Sequence, residues 1–311
     1  MKIAAIGECM LEMSSGSLAP DLAKVPALIG YGGDTLNTAV YLARLGSKSS
    51  FVTAMGNDNA SDWMIAQWEK NGVDTSLVKI DSTKRPGVYH ISNDESGERH
   101  FIYWRNDAAA KYILDSDAKQ QRLTSQLSDF DFIYLSGISL AVIDAASQDR
   151  LFAMLQELQI NGKKIVFDGN YRPVLWESTD LAQKAFSRAY AISDIALPTI
   201  DDESMLYGEA DKDAVIDRIR QCGAREIVLK MGAEGCCVDD GITRAMVIGR
   251  RVEVVDTTSA GDSFNAAFLH YRSQGESQES AAKKGHILAS TVIQHKGAII
   301  AESDMPSFQS I

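Results

Sequence analysis

Short apolar runs of strand character alternate with helical stretches along nearly the whole chain, and this order constrains the fold more than any other feature. Residues 2–7, 51–55, 132–136, 164–168, 194–197 and 226–230 read as strands separated by segments of helical periodicity. Strands joined through helices return to the same sheet edge and pair in parallel. Their nearly continuous apolar character predicts a sheet covered by helices on both faces, a three-layer α/β/α arrangement. A length of 311 residues is compatible with two domains. No Pro/Gly/Ser-rich linker or charge block divides the chain, so the expectation is one α/β domain over 1–311. Residues 87–92 and 99–105 break the pattern: they read as a β-hairpin with a polar tip at 93–98.

The chemistry concentrates in Asp256-Thr257-Thr258-Ser259-Ala260-Gly261-Asp262-Ser263-Phe264. Residues 251–255 before it alternate as a strand does, and residues 264–269 after it are helix-compatible, so the small residues form a strand-to-helix turn. The first N–H groups of such a helix have no partner within it, and the helix dipole favours an anion there. Small side chains at Ser259, Ala260 and Gly261 let a phosphate approach the backbone. Asp262 is suited to take a proton from an attacking hydroxyl; equally, it caps the helix, and this segment alone does not separate the two.

These nine residues resemble the C-terminal signature of the ribokinase-like (PfkB-type) carbohydrate kinases, with Ser259 in place of a glycine. A positive backbone angle at that position would suit serine less well than glycine. The resemblance implies Asp262 as catalytic base and the N–H groups of Ala260, Gly261 and Asp262 as an anion hole. A second segment, Gly30-Tyr31-Gly32-Gly33-Asp34-Thr35-Leu36-Asn37-Thr38-Ala39, leads into a helix pattern ended by Gly46 and resembles the family's sugar-binding motif. It implies that Gly33, Asp34 and Asn37 hold substrate hydroxyls. Residues 51–58 and 230–235 match further family segments, so the resemblance spans essentially the whole chain. It also implies that the hairpin, at about 86–106, and a segment at about 10–32 form a small β-sheet lid over the sugar.

On the nucleotide side the resemblance implies ATP with Mg²⁺, bound near Lys230, Gly232, Gly235, Ser259 and Gly261, with His286, Ala289 and Ser290 walling the adenine. Lys230 replaces a usual threonine; its ammonium reaches ATP phosphates or pairs with Glu226. The family's N-x-x-E motif lacks its asparagine at residues 198–203, leaving Glu203 or Asp202 for Mg²⁺. Asp256, with carbonyls near Thr258 and Ala298, stands where relatives hold a monovalent cation such as K⁺.

The acceptor is read from arginines. Tyr103 and Arg105 alternate on one strand and so share a face, and Tyr89 joins them from the partner strand. Asn170 and Arg172 follow a strand C-terminal end, where ligands of open α/β sheets bind. Two arginines in an acidic chain favour a carboxylate-bearing substrate, since guanidinium and carboxylate pair through two hydrogen bonds; a structural ion pair is the other reading of each, and contact with ATP phosphates a further one for Arg172. Tyr-x-Arg and Asp-x-Asn-x-Arg resemble the family members that act on 2-keto-3-deoxygluconate, with fructokinase- or ribokinase-like neutral-sugar members as the alternative.

A net charge of −11, from 31 basic and 42 acidic residues, speaks against nucleic-acid or anionic-membrane partners. No apolar run approaches the roughly 18 residues of a membrane span, and no signal-peptide layout is evident, so the expected location is cytoplasmic. Four cysteines do not suggest a disulfide frame, and the five histidines lack zinc-ligand spacing. A nicotinamide oxidoreductase reading fails for want of Gly-x-Gly-x-x-Gly after the first strand, and a P-loop kinase for want of its lysine motif. A non-catalytic sensor that kept the fold is opposed by Asp262. An exposed lid edge predicts pairing of chains into a homo-oligomer.

Overall fold

The structure, a computed structural model, describes residues 1–15, 23–93 and 99–308; part of the first lid segment and the hairpin tip lie outside these. The chain begins β1 (Lys2–Ile6), β2 (Met10–Ser15), β3 (Ala27–Gly32), α1 (Asp34–Arg44), β4 (Lys48–Gly56), α2 (Asn59–Lys70), β5 (Val78–Asp81), β6 (Val88–Asn93) and β7 (Arg99–Trp104). It continues α3 (Asp117–Leu127), β8 (Phe132–Ser136), α4 (Gly137–Val142), α5 (Ala145–Ile160), β9 (Lys164–Asp168), α6 (Thr179–Ala191) and β10 (Ile195–Ala196). Then come α7 (Ile200–Tyr207), α8 (Lys212–Cys222), β11 (Glu226–Lys230), β12 (Gly235–Asp239), β13 (Arg244–Ile248), α9 (Ala260–Ser273) and α10 (Gln278–Val292).

Nine strands form the main sheet in the order β13-β12-β11-β10-β9-β8-β1-β4-β5. Every pairing from β5 across to β11 is parallel. Alternation along these strands separates two cores. Ile3, Ala5, Phe132 and Tyr134 pack with Leu36, Trp68, Phe268 and Leu288 of α1, α2, α9 and α10. Ala4, Ile6, Ile133 and Leu135 pack on the other face with Leu127, Leu155, Phe186 and Ile219 of α3, α5, α6 and α8. Each large apolar side chain so buried contributes about 1.5–3 kcal/mol. Helix α1 ends as its sequence predicts, with Gly46 at φ +93° just past the cap and Ser47 N–H donating to Leu42.

One expectation is corrected. Residues 251–254 form no strand. Their alternation meets no neighbouring strand, and Val255 and Asp256 instead donate their N–H groups to the Ile293 carbonyl. Beside them, β12 and β13, for which the sequence suggested no element, pair antiparallel on the edge of the sheet. Gly235, at φ +109°, makes this hairpin possible, since a Cβ there would lie 2.1 Å from the Val247 carbonyl.

The second sheet has the order β3-β2-β6-β7. Tyr89 pairs with Tyr103 across β6 and β7, and Glu12 with Tyr89 across β2 and β6, so Glu12, Tyr89 and Tyr103 share one face. The hairpin read from the sequence is β6 and β7, and the 10–32 segment that the resemblance placed in the lid supplies β2 and β3.

Candidate active site

The C-terminal ends of β1, β8, β9 and β11 bring Glu8, Ser136, Asp168 and Lys230 to one edge of the sheet, where α1 and α9 begin. Gly33 precedes α1 in an extended conformation; close approach decides its identity, because a Cβ would stand 2.2 Å from the Glu8 carbonyl. Asp34 is the first helical residue rather than a cap. Its carboxylate accepts a 2.6 Å hydrogen bond from Asn170 Nδ2. Burial holds its pKa above the usual carboxylate value, opposed by the Ser136 hydroxyl and Asn170, with the Asp168 charge adding to the rise. Asn170 sits at φ +38°, a left-handed conformation that asparagine tolerates better than most residues.

Against α1, Asp262 lies in the first turn of α9 and is buried. Asn37 Nδ2 donates to its Oδ2 at 2.9 Å, which ties the N-terminal motif to the C-terminal one over 225 residues of sequence. Burial first, and the Asp34 charge next, push the Asp262 pKa up to about 7. The helix mouth itself is open at two donors: Gly261 and Asp262 N–H have no acceptor among the described residues, while Ala260 N–H closes a turn onto the Thr257 carbonyl at 3.2 Å. The expected three-donor anion hole is thereby reduced to two. Ser259 caps this helix at φ +63°, in the left-handed region anticipated as uncomfortable for serine.

A buried polar network runs beneath the cleft. Lys230 Nζ donates to Asp168 at 2.8 Å and to Asn265 at 3.1 Å. Asn265 Nδ2 donates to the Tyr134 hydroxyl at 3.1 Å, and that hydroxyl donates to Asp168 at 3.4 Å. The possible Lys230–Glu226 pair does not form, because Glu226 takes both arms of Arg272 at 2.7 Å. Lys230 points instead toward α9, with its ammonium 3.6 Å from where a Gly261 Cβ would stand. Sequence reasoning passed over Asp168, Tyr134 and Asn265 as site residues. Asp168 had a signal, its place at a strand end in the Asp-x-Asn-x-Arg stretch; Tyr134 and Asn265 read only as buried strand and helix positions.

In the lid, Tyr103 lies over Tyr89 with ring centroids 6.1 Å apart. The Tyr89 hydroxyl donates to Glu12, and Arg105 forms a close ion pair with Glu8; neither acid was singled out from sequence. Arg172 stands at the rim with its side chain 52% exposed, bonded to the Tyr171 carbonyl at 2.7 Å and 3.5 Å from Asp202.

Of the two candidate Mg²⁺ acids, Glu203 is wholly buried, and both its oxygens are taken, by Tyr190 and Arg218. Asp202 is the one beside the cleft; burial raises its pKa, Arg172 and Lys230 oppose, and Asp168 adds to the rise. A single carboxylate beside a phosphate site fits Mg²⁺, which takes few protein ligands and keeps phosphate oxygens and water. Asp256 Oδ1 accepts from Thr258 N–H at 3.0 Å and Oδ2 from Gly297 N–H at 3.1 Å, while the Ala298 carbonyl accepts from Tyr41 at 2.7 Å. The two stretches proposed for a monovalent cation therefore do meet, with Asp256 stitching them together. Midway along α10, His286 lies against Phe264 with ring centroids 5.0 Å apart and planes tilted by 58°, and its buried Nε2 has no partner among the described residues. Ala289 is half-buried one turn on, whereas Ser290 is buried and bonds back to Ile287 at 3.0 Å. Gly232, at φ +55°, has open space around it, as a loop that receives a ligand requires.

A carboxylate paired with open helix N–H groups, facing a small β lid on a three-layer sheet, defines a small-molecule kinase of the ribokinase-like fold. The chain belongs to the pfkB family of carbohydrate kinases, whose description matches residues 1–305. It is 48% identical to 2-dehydro-3-deoxygluconokinase from Dickeya dadantii (strain 3937), over 98% of each chain. Against the protein of that name from Escherichia coli (strain K12) it is 44% identical over 98% of this chain and 99% of the relative. Its fold is also that of aminoimidazole riboside kinase from Salmonella enterica, solved with aminoimidazole riboside and an ATP analog. There the TM-score is 0.81 at 23% identity, covering 98% of this chain and 96% of that one. No helix among the described residues is long and apolar enough to cross a membrane.

Proposed function

We propose that this chain transfers the ATP γ-phosphoryl group to the C6 hydroxyl of 2-keto-3-deoxygluconate, giving 2-keto-3-deoxy-6-phosphogluconate and ADP. The observation that carries the reading is Asp262, a buried carboxylate with a pKa of about 7 at the mouth of α9, bonded directly to Asn37 of α1. The substrate class rests on the names of the two relatives and on the lid face formed by Tyr89, Tyr103 and Arg105.

The sugar acid lies between Gly33, Asp34, Asn37 and Asn170 on one side and the lid on the other. Asp262 takes the C6 hydroxyl proton as that oxygen bonds to the γ-phosphorus and the bond to the ADP oxygen breaks. Gly261 and Asp262 N–H offset charge on the transferring group, each worth about 2.7–4 kcal/mol in comparable sites. Lys230, reaching toward Gly261, adds positive charge on the phosphate side, and Arg172 at the rim adds more. His286 and Ala289 flank the nucleotide. Mg²⁺, when bound by the ATP phosphates beside Asp202, neutralises phosphate charge. Residues 1–311 act as one catalytic domain with the small sheet as its lid, and two chains associate through that lid. A K⁺ ion near Asp256 belongs to the same reading.

One observation favours a neutral-sugar kinase as second reading: the Arg105 charge is already met by Glu8. ADP release with Mg-ATP, with and without K⁺, over 2-keto-3-deoxygluconate, fructose and ribose decides between them. Strong turnover on the keto-deoxy acid alone is expected; turnover on fructose or ribose instead overturns the substrate. Asp262→Asn should lower kcat by about 10²–10⁴ while ATP and sugar still bind, and retention of more than a tenth of kcat would remove the base assignment. Arg105→Ala should raise KM for the sugar acid about tenfold or more, the loss expected for a hydrogen bond to a charged group.

A further inference from the structure

The ion pair between Glu8 and Arg105 joins the two sheets at the point where the lid leaves the main body. Glu8 lies two residues past β1, at the C-terminal edge of the main sheet, and Arg105 directly follows the last lid strand. The pair is secluded: the Glu8 side chain is 2% exposed and that of Arg105 13%. Room for it is made by Gly87, whose absent Cβ would meet Arg105 Cβ and Glu8 Oε1, each at 3.1 Å. Glu8 Oε2 accepts from Arg105 Nη2, and the other N–H groups of the guanidinium have no acceptor among the described residues. Glu8 Oε1 is likewise buried without a hydrogen-bond partner. The other charges acting on Glu8 are Lys111 and Asp34.

Leaving a carboxylate in so dry a place is costly unless its partner holds a fixed geometry. A guanidinium presents five donors in a rigid plane, so anchoring one nitrogen fixes the direction of the rest. We propose that Glu8 is a positioning residue, which pins one edge of Arg105 to the main sheet so that the remaining edge is presented to the substrate carboxylate beneath the lid. Glu8 itself touches no reacting atom. Arg105, which leads out of the lid, is thereby kept in register with the sugar site built on α1.

This inference rests on the sugar-acid reading, and steady-state kinetics with 2-keto-3-deoxygluconate separates the two. Glu8→Ala should raise KM about tenfold or more with kcat within about threefold, because one charge-assisted hydrogen bond to Arg105 is lost. Glu8→Gln, which keeps an acceptor oxygen at the same reach, should recover most of that loss. Glu8→Asp keeps the charge but withdraws it by one methylene; it should raise KM with thermal stability retained, and it serves if the alanine variant fails to fold. In an Arg105→Ala background, Glu8→Ala should add no further rise, since coupled residues are non-additive. Equal effects of Glu8→Ala with and without Arg105, or a lower KM in Glu8→Gln and Glu8→Ala, would overturn the positioning role. If Arg105→Ala alone leaves KM unchanged, carboxylate recognition by Arg105 falls whatever Glu8 does.

Discussion

At the residue scale the controlling group is Asp262. Its pKa of about 7, against 3.8 for an ordinary aspartate, comes first from burial and next from the Asp34 charge. A base works only when deprotonated, and kcat/KM reports the free enzyme, so kcat/KM should rise with pH on a limb centred near 7, and Asp262→Asn should abolish the limb together with most of the rate. The stability consequence has the opposite direction. Between about 3.8 and 7 the folded protein holds a proton here that the unfolded chain has released, so this residue makes stability fall as pH rises through that window. Asp262→Asn should therefore gain thermal stability relative to wild type between pH 4 and pH 8. A Tm difference that stays constant over that range would contradict the raised pKa.

At the element scale, the turn into α9 is stabilised on one side and strained on the other. Asp256 closes it from below through Thr258 and Gly297, but its cap is a serine at φ +63°. The left-handed conformation costs an L-residue about 1–2 kcal/mol, and glycine returns some of that through its larger unfolded entropy. Ser259→Gly should thus raise stability by up to about 1 kcal/mol, and Ser259→Val should lower it by about 1–3 kcal/mol. Chemical denaturation of the two variants checks this; a valine variant as stable as wild type would mean that the turn relaxes. Two elements beside this turn show where periodicity misleads. Residues 251–255 alternate correctly for a strand yet have no strand to pair with, whereas residues 235–239, which drew no strand expectation, pair on both sides. Hydrogen-bond partners are supplied by the sheet, and local pattern does not reveal whether a neighbour will be there.

At the scale of the whole molecule, the lid leaves several large apolar side chains uncovered. Ile29, Ile102 and Trp104 are half or nearly half exposed on the lid face opposite Tyr89 and Tyr103, with Trp104 the most exposed at 58%. Apolar surface of this kind on a sheet with open edges favours association of chains. Ile102→Lys with Trp104→Lys should shift the protein toward monomer in sedimentation velocity while leaving Tyr103 and Arg105 on their own face. An unchanged sedimentation coefficient would place any dimer contact elsewhere.

The sequence alone determined the layered α/β plan, the two helix mouths, the lid hairpin and the resemblance to the sugar kinase family. These depend on short-range patterns: alternation, small residues before a helix, glycine after one. What it left open is which polar groups share a partner. Lys230 meets Asp168 and Asn265 rather than Glu226, Glu203 turns inward to Arg218, and Arg105 finds Glu8. Each pairing joins residues distant in sequence, and the choice among acids of equal charge is made by burial and reach, which exist only once the sheet has brought its C-terminal edge together.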